Sequence, residues 1–271
     1  MKLHRNTIGG IRVLGTDINP EKETILWLHG YTLSSELWPS CWQYSKEFNN
    51  IAIDIPGHGA SPTIRQFSSL IELTDAVFNS LKEFQVDYII GSSFGGILGI
   101  QLLVQYADHF KGLVLVSSPY GGSEIDSEAQ LKNQELIKLY KERGCGPWLT
   151  ELWMQSPPPI FKGVMMQEEI ALEFKKIIDS HSWDELKDNG FALFTSHKQV
   201  SKKLKGLTNP VFLFVGENDM DYIKRCNQIL YKTFRNVERT YLAGCYHLPL
   251  FEQPATTIPA ILAKLSTERN V

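Results

Sequence analysis

Residues 89–96, Ile-Ile-Gly-Ser-Ser-Phe-Gly-Gly, place two hydroxyl groups among three glycines directly after an apolar run. A sharp turn from a strand into a helix strains the backbone of the residue at its apex, and the residues two positions to either side must be small. Ser93 has a glycine at both of those positions, whereas Ser92 has Ile90 and Phe94 there. The pattern Gly-x-Ser-x-Gly is that of a nucleophile elbow, which raises a serine hydroxyl above the carboxyl end of a sheet. Ser93 is therefore the predicted nucleophile.

A serine hydroxyl is a weak nucleophile at neutral pH, and in such an elbow its acid and its base follow later in the chain. Asp219 closes the segment Gly-Glu-Asn-Asp after one apolar run, and His247 closes Gly-Cys-Tyr-His after the next. We expect His247 to take the proton from Ser93, and Asp219 to hold the imidazole tautomer and stabilise the cation. Two alternatives stay open at this point. Glu217 or Asp221 could be the acid, and His247 could be a histidine hydrogen-bonded within its loop.

The carbonyl oxygen of a substrate gains negative charge when the nucleophile adds to it, so the site needs two hydrogen-bond donors there. One donor is expected to be the backbone N–H of Phe94, which directly follows the nucleophile. The other should come from the turn at residues 29–32, His-Gly-Tyr-Thr, where the backbone N–H of Tyr31 is the best candidate. His29 in this turn and His58 in another glycine-containing turn are expected to make structural hydrogen bonds.

Short apolar runs that end in Gly, Pro or Asp recur along the chain and would position these groups. They cover residues 25–28, 51–55, 88–90, 113–116, 211–215 and 239–242. Such near-continuous runs are typical of strands buried on both faces of a parallel sheet. Apolar residues at helical spacing predict helices over residues 70–84, 96–106 and 254–265. Strand and helix alternate, so the predicted class is α/β with a parallel sheet.

The alternation stops between residues 120 and 207, where we predict no strand. Three consecutive prolines at residues 157–159 separate two of the helical stretches in this block. The predicted helices cover residues 123–143, 164–180, 182–187 and 191–204.

The amino-acid composition and net charge of the chain bear on which classes of partner the protein binds. Hydrophobic residues make up 43% of the chain and charged residues 21%, and the formal net charge is −3. Neither a nucleic acid nor an acidic membrane surface is indicated as a partner by this balance. No run approaches the ~20 apolar residues of a membrane span, and the N-terminus has no apolar signal region. We therefore expect a cytoplasmic protein with a small-molecule substrate, no nucleic-acid partner and no membrane insertion.

The four cysteines, Cys41, Cys145, Cys226 and Cys245, lie far apart and form no Cys-x-x-Cys pair. Paired spacings of that kind are typical of zinc sites, redox motifs and disulfide frameworks. We accordingly expect no metal and no cofactor.

Together these motifs resemble those of the α/β-hydrolase superfamily, over nearly the whole chain outside residues 120–207. The segments that carry the resemblance are Leu-His-Gly-Tyr at 28–31, Asp-Ile-Pro-Gly-His-Gly-Ala-Ser at 54–61, the elbow, 216–219 and 244–254. The resemblance implies a mostly parallel, eight-stranded-type sheet flanked by helices, with residues 1–119 and 208–271 forming the core. It also implies that residues 120–207 form an inserted helical cap. Ser92 departs from the family, where histidine, asparagine or tyrosine is more usual before the nucleophile.

The resemblance is closest to small-molecule esterases, C–C hydrolases and menaquinone-pathway synthases. A serine nucleophile predicts a hydrolase of small carboxylic esters or thioesters that forms an acyl-enzyme. C–C hydrolysis or a menaquinone-type lyase step is the alternative, and such a lyase would need basic cap side chains, for example Arg143, facing the pocket. A ligand-binding receptor is a third class. Because the cap is rich in large apolar residues, we expect Trp153 and Trp183 to contact an apolar acyl or aromatic part of the substrate.

Overall fold

The protein folds around one eight-stranded sheet, described by a computed structural model that covers residues 2–124, 126–187 and 190–267. The strands are β1 (Leu3–Ile8), β2 (Ile11–Thr16), β3 (Thr24–Leu28), β4 (Asn49–Ile53), β5 (Val86–Ser92), β6 (Gly112–Val116), β7 (Val211–Gly216) and β8 (Val237–Leu242). Their order across the sheet is β1-β2-β4-β3-β5-β6-β7-β8. Strands β3 to β8 pair in parallel, and only β1 with β2 and β2 with β4 pair antiparallel. The predicted fold class is therefore confirmed.

The central strands are apolar along their length because both faces of the sheet are covered. Every residue of β3, β4, β6 and β7 is buried. Alternate side chains of β3 enter separate cores: Ile25 and Trp27 pack on one face, and Leu26 and Leu28 pack on the other. Successive side chains of a strand point to opposite faces, so a strand covered on both sides reads as a continuous apolar run.

Ten helices are described. They are α1 (Leu70–Leu81), α2 (Phe94–Tyr106), α3 (Ser127–Arg143), α4 (Pro147–Met154), α5 (Glu168–Asp179), α6 (Ala192–Thr195), α7 (Lys202–Gly206), α8 (Asp221–Thr233), α9 (Pro249–Glu252) and α10 (Pro254–Thr267). The helices predicted at 70–84, 96–106 and 254–265 are confirmed as α1, α2 and α10, with shifted ends. Of these ten described helices, none is long and apolar enough to cross a membrane.

The block between β6 and β7 is helical, and its described residues include no strand. The helix predicted from residue 123 begins only at Ser127, because the Asp126 carboxylate accepts the backbone N–H of Glu128 and caps the helix there. Ile125, within the predicted start, lies outside the described residues. The stretch predicted at 164–180 begins with a 3₁₀ turn, Val164–Met166, before α5.

The prediction of one helical stretch over residues 191–204 is wrong, because the chain forms two short helices, α6 and α7, in this region. Between them the backbone N–H of Gln199 bonds to the carbonyl of Gly121, and the Gln199 side chain accepts the N–H of Gly121. This pairing holds the segment in a non-helical conformation.

Candidate active site

Ser93 occupies the junction of β5 and α2 with almost no intervening loop. Its backbone φ of 49° is in the region that non-glycine residues seldom adopt, with ψ at −121°. The conformation is held by neighbours, since the Ser93 N–H donates to the carbonyl of Val116 at 2.9 Å and its carbonyl accepts the N–H of Gly96 at 2.9 Å. A strained residue that is held from both sides is a common feature of functional sites.

The glycines around Ser93 are required by close backbone contacts. A Cβ atom on Gly91 would lie 2.7 Å from the Cα of Gly96, and one on Gly95 would clash with the carbonyl of Leu28. Ser92 ends β5 and is only 1% exposed, and its hydroxyl has no hydrogen-bond partner among the described residues. The turn therefore requires small residues two positions to either side of Ser93.

Ser93, His247 and Asp219 come together in a continuous chain of hydrogen bonds. The Ser93 Oγ lies 2.8 Å from His247 Nε2, and His247 Nδ1 lies 2.9 Å from Asp219 Oδ1. The histidine and the aspartate are 2% and 4% exposed. A carboxylate on Nδ1 keeps that nitrogen protonated, which leaves the lone pair of Nε2 facing the serine hydroxyl. This arrangement is able to activate the serine as a nucleophile.

Of the three candidate acids, Asp219 alone is bonded to the imidazole. Its Oδ1 also accepts the backbone N–H of Met220 at 2.7 Å. Glu217 is exposed and accepts the N–H of Gly244, while Asp221 is an exposed residue in the first turn of α8. The geometry therefore favours Asp219 over both alternatives.

The predicted oxyanion donors lie on elements that meet at Ser93. Phe94 is the first residue of α2, and the N–H groups of the first helical turn have no partner within the helix. The turn that carries Tyr31 also approaches Ser93, because a Cβ on Gly30 would lie 3.5 Å from the Cβ of Ser93. Gly30, Tyr31, Ser93 and Phe94 all line one cavity.

The side chain of Tyr31 is held from the 120–207 block in a way that the sequence did not predict. Its hydroxyl donates to Glu185 Oε1, which also lies 3.0 Å from His181 Nε2. Glu185 is 5% exposed, and burial together with this carboxylate raises the pKa of the Tyr31 hydroxyl well above its usual value. This hydrogen bond joins two residues that are 154 positions apart in the chain. The feature that distinguishes it in the structure is the burial of an acidic side chain.

Two buried histidines, His29 and His58, lie near Tyr31 and take no part in the hydrogen-bond chain from Ser93 to Asp219. His29 Nε2 accepts the backbone N–H of Ile55 at 3.0 Å, and its Nδ1 lies 2.8 Å from the carbonyl of Gly30. Burial lowers the pKa of His29 to about 4, against an opposing effect of Asp54. His29 therefore acts as a neutral brace between two loops, as the sequence predicted. Burial also lowers the pKa of His58, whose ring nitrogens have no partner among the described residues.

Ser93 and His247 line a mostly apolar cavity of about 120 Å³. Other parts of the lining come from α2, the 120–207 block and the start of α8, and they include Phe94, Ile97, Trp153, Pro158, Ile160, Phe161, Phe191, Met220, Tyr222 and Ile223. The contribution of α8 was missed, although α8 begins two residues after Asp219 and so has to start at the site. Among the described residues that line the cavity there is no lysine and no arginine, and Asp126 is the one acidic residue.

The two tryptophans expected at the pocket have different positions. Trp153 lines the cavity, and its Nε1 donates to Thr32 Oγ1 at 2.8 Å. Trp183 does not line it, which corrects the expectation for that residue. It is 1% exposed, and its ring centroid lies 6.4 Å from that of Tyr31 and 5.0 Å from that of His181. The 120–207 block packs on the turn at residues 29–32 so that Trp153 forms part of the cavity wall and Trp183 does not.

Comparison with known proteins identifies the same fold and family. The model of a family described as "Alpha/beta hydrolase family" matches residues 25–260. A Bacillus subtilis protein provisionally named 2-succinyl-6-hydroxy-2,4-cyclohexadiene-1-carboxylate synthase is 24% identical over 90% of this chain and 91% of its own length. A pimeloyl-(acyl-carrier protein) methyl ester esterase from Nitrosospira multiformis is 23% identical over 89% of this chain and 94% of its own. Three other curated relatives are matched over only 26% to 46% of their length.

Solved structures give the same result at the level of the fold. A thermophilic esterase from Thermogutta terrifontis superposes with a TM-score of 0.78, and the match covers 99% of each chain. Its sequence is 19% identical to this one, so the similarity concerns architecture alone.

Proposed function

The chain belongs to the alpha/beta hydrolase family, and on that premise we propose that it is a serine hydrolase of small carboxylic esters or thioesters. The observation that carries the proposal is the chain of hydrogen bonds from Ser93 through His247 to Asp219, whose first two members line a mostly apolar cavity. A hydroxyl, a base and a carboxylate in this order are the parts that acyl transfer to serine requires.

In the proposed mechanism His247 Nε2 removes the proton from Ser93 Oγ as the oxygen adds to the substrate carbonyl. The backbone N–H groups of Phe94 and Tyr31 stabilise the charge on the carbonyl oxygen. His247 then returns the proton to the leaving alcohol or thiol, and an acyl-enzyme forms. A water molecule activated by the same histidine hydrolyses that ester and releases the carboxylic acid. Asp219 stabilises the imidazolium ion in both halves of the reaction.

We further propose that residues 120–207 act as a cap, with residues 1–119 and 208–271 as the catalytic core. The proposal is supported by the cavity lining, in which Trp153, Phe161 and Phe191 of this block share one cavity with Ser93. A cap of this kind excludes water from the reacting ester and sets the size of the acyl group.

The lining also bears on the alternative reactions. The synthase named among the relatives has a carboxylate in its product, and a carboxylate buried in a pocket needs a cationic partner. Neither Arg143 nor any lysine is among the described lining residues, and the acidic side chain present, Asp126, accepts the N–H of Glu128 and lies 4.0 Å from the guanidinium of Arg225, so it offers a carboxylate no cationic partner. The site therefore favours neutral acyl groups over the lyase reaction.

Discrimination against charged acyl groups tests this interpretation. We expect p-nitrophenyl hexanoate to be hydrolysed at least about 100-fold more efficiently, as kcat/KM, than the p-nitrophenyl monoester of adipic acid, because the latter would bury an unpaired carboxylate. The methyl p-nitrophenyl diester of adipic acid has the same chain without the charge and serves as the matched control. It should be hydrolysed at a rate near that of the hexanoate. Preference for the charged monoester would contradict the assignment.

A second prediction concerns acyl-chain length. Trp153→Ala should raise the ratio of octanoate to acetate hydrolysis at least about tenfold, because each methylene that fits a hydrophobic pocket is worth a factor of this order. Trp153→Phe keeps an aromatic ring in the lining but removes the hydrogen bond to Thr32. It therefore separates the effect of pocket size from the effect of losing the contact with the turn at residues 29–32. Trp183→Phe alters a buried ring outside the cavity and should keep the wild-type ranking. An unchanged ranking in Trp153→Ala would show that this ring does not limit the acyl chain.

A further inference from the structure

Glu252, the last residue of α9, is a buried acid that the proposed mechanism does not use. It is 9% exposed, and its two carboxylate oxygens accept separate backbone hydrogen bonds. Oε2 accepts the N–H of Tyr246 at 2.6 Å, and Oε1 accepts the N–H of Leu248 at 2.8 Å. Tyr246 and Leu248 are the two neighbours of His247 in the chain. One side chain thus spans the histidine and fixes the backbone on both sides of it.

The 120–207 block packs directly on this carboxylate. A Cβ atom on Gly163 would clash with the carboxyl group of Glu252, and Gln167 Nε2 donates to the backbone carbonyl of Glu252 at 3.0 Å. Glu252 therefore lies between the block and the loop that carries His247. Both of its oxygens act only as acceptors, which is the hydrogen-bonding pattern of an ionised carboxylate.

We propose that Glu252 is a positioning residue for His247, which sets the imidazole against Ser93 through the flanking backbone and adds a second negative charge beside it. The inference rests on the proposed serine-hydrolase function. The charge of Asp219 acts through a direct bond to the ring, whereas Glu252 acts through the backbone and through space. An imidazolium forms twice in each catalytic cycle, and a fixed anion close to it lowers the energy of both transition states.

The electrostatics of the site agree with this role. Burial raises the pKa of Glu252, while the hydrogen bonds from Tyr246 and Leu248, together with the attraction of His247, oppose the rise. The other titratable groups near this pair are Asp219, which is bonded to His247, Cys245, whose thiol is affected by the charge of Glu252, the neighbouring Tyr246, and Lys162, whose Nζ lies 5.0 Å from the centroid of the Tyr246 ring. None of them replaces the two bonds that Glu252 accepts.

Glu252→Gln tests the proposal because it removes the charge and keeps the shape. A glutamine has one acceptor, so its NH₂ group would face one of the two backbone N–H donors. We expect kcat for p-nitrophenyl butyrate to fall about 10- to 100-fold, which is the range for a small misplacement of a catalytic group. The acid limb of the kcat/KM profile should also move to lower pH, by about 0.5 to 1 unit, because loss of a nearby anion makes His247 easier to deprotonate. Partial unfolding would lower the rate at every pH and leave the limb in place.

Two further variants complete the test. Glu217→Gln removes an exposed carboxylate that accepts a backbone N–H of the same loop, and it should keep wild-type kinetics. Glu252→Asp keeps the charge but shortens the side chain, so kcat should fall while the acid limb stays in place. If Glu252→Gln does not fold, Glu252→Asp still tests the positioning role.

The outcomes separate this inference from the proposed function. Wild-type kcat and an unmoved acid limb in folded Glu252→Gln, or wild-type kcat in Glu252→Asp, would overturn the positioning role alone. A wild-type protein that neither hydrolyses esters nor is labelled at Ser93 by a fluorophosphonate would overturn the inference together with the proposed function.

Discussion

Ser93→Ala should lower kcat for hydrolysis of p-nitrophenyl butyrate by about 10⁴- to 10⁶-fold, the usual loss when the nucleophile of a serine hydrolase is removed. The physical reason is that His247 is then left without a hydroxyl to activate, and the oxyanion donors have no covalent intermediate to stabilise. Alanine differs from serine by one oxygen at this strained position, so the turn should retain its geometry. Circular dichroism and a thermal melt would establish that the variant is folded.

Ser92→Ala is the matched control for this experiment. The Ser92 hydroxyl is buried, and it makes no hydrogen bond to any described residue, so its loss should change kcat less than about threefold. The reverse result, with Ser92→Ala inactive and Ser93→Ala active, would move the nucleophile by one residue and contradict the steric argument.

Covalent labelling distinguishes an enzyme from a receptor that retains the fold. A fluorophosphonate should react with the wild type and leave a phosphonate adduct on the peptide that contains Ser93, whereas folded Ser93→Ala should stay unlabelled. Adduct formation needs both an activated hydroxyl and an open path to it. A folded wild type that takes no label would favour a ligand-binding role over catalysis.

The site was predictable from the sequence where its causes are local. Ser93 stands out from Ser92 because the glycines that allow the turn are two residues away, and their contacts are visible as short distances in the structure. The central strands were predictable because burial on both faces makes each one a continuous apolar run. Asp219 and His247 follow strands β7 and β8, and parallel strands that pair side by side end at the same edge of the sheet.

The parts that escaped prediction depend on contacts that are distant in the sequence. The sequence contained no apolar run that would have predicted strands β1 and β2. Strand β1 is only half-buried and contains polar residues, and β2 is defined by its pairing with β4. Trp153 and Trp183 could not be told apart, because composition does not fix which face of a packed block meets the cavity. The bond from Tyr31 to Glu185 links two regions whose relation only the tertiary fold determines. The boundary between core and cap at residues 120 and 207 stays a prediction.

Asp219→Asn should lower kcat by about 10⁴-fold, which is the loss expected when the imidazole of a serine hydrolase loses its anionic partner. In the native site Asp219 Oδ1 accepts from both His247 Nδ1 and the N–H of Met220, and its second oxygen has no hydrogen-bond partner among the described residues. With its carbonyl oxygen in the place of Oδ1, an asparagine could keep both of these bonds, but it would carry no negative charge to stabilise the imidazolium ion. With the amide turned the other way, its NH₂ group would face Nδ1, direct the ring proton to Nε2 and remove the base.

Glu217→Gln and Asp221→Asn are the matched controls for the Asp219→Asn experiment. Each neutralises an acid within two residues of Asp219, so a general effect of charge in the loop would appear in all three variants. Both side chains are exposed, and neither is bonded to His247, so each variant should keep kcat within about threefold of wild type. A 10⁴-fold loss in either control, with Asp219→Asn active, would reassign the acid to that residue. Comparable small losses in all three would instead mean that the histidine works without a carboxylate partner, and the proposed order of proton transfer would be wrong.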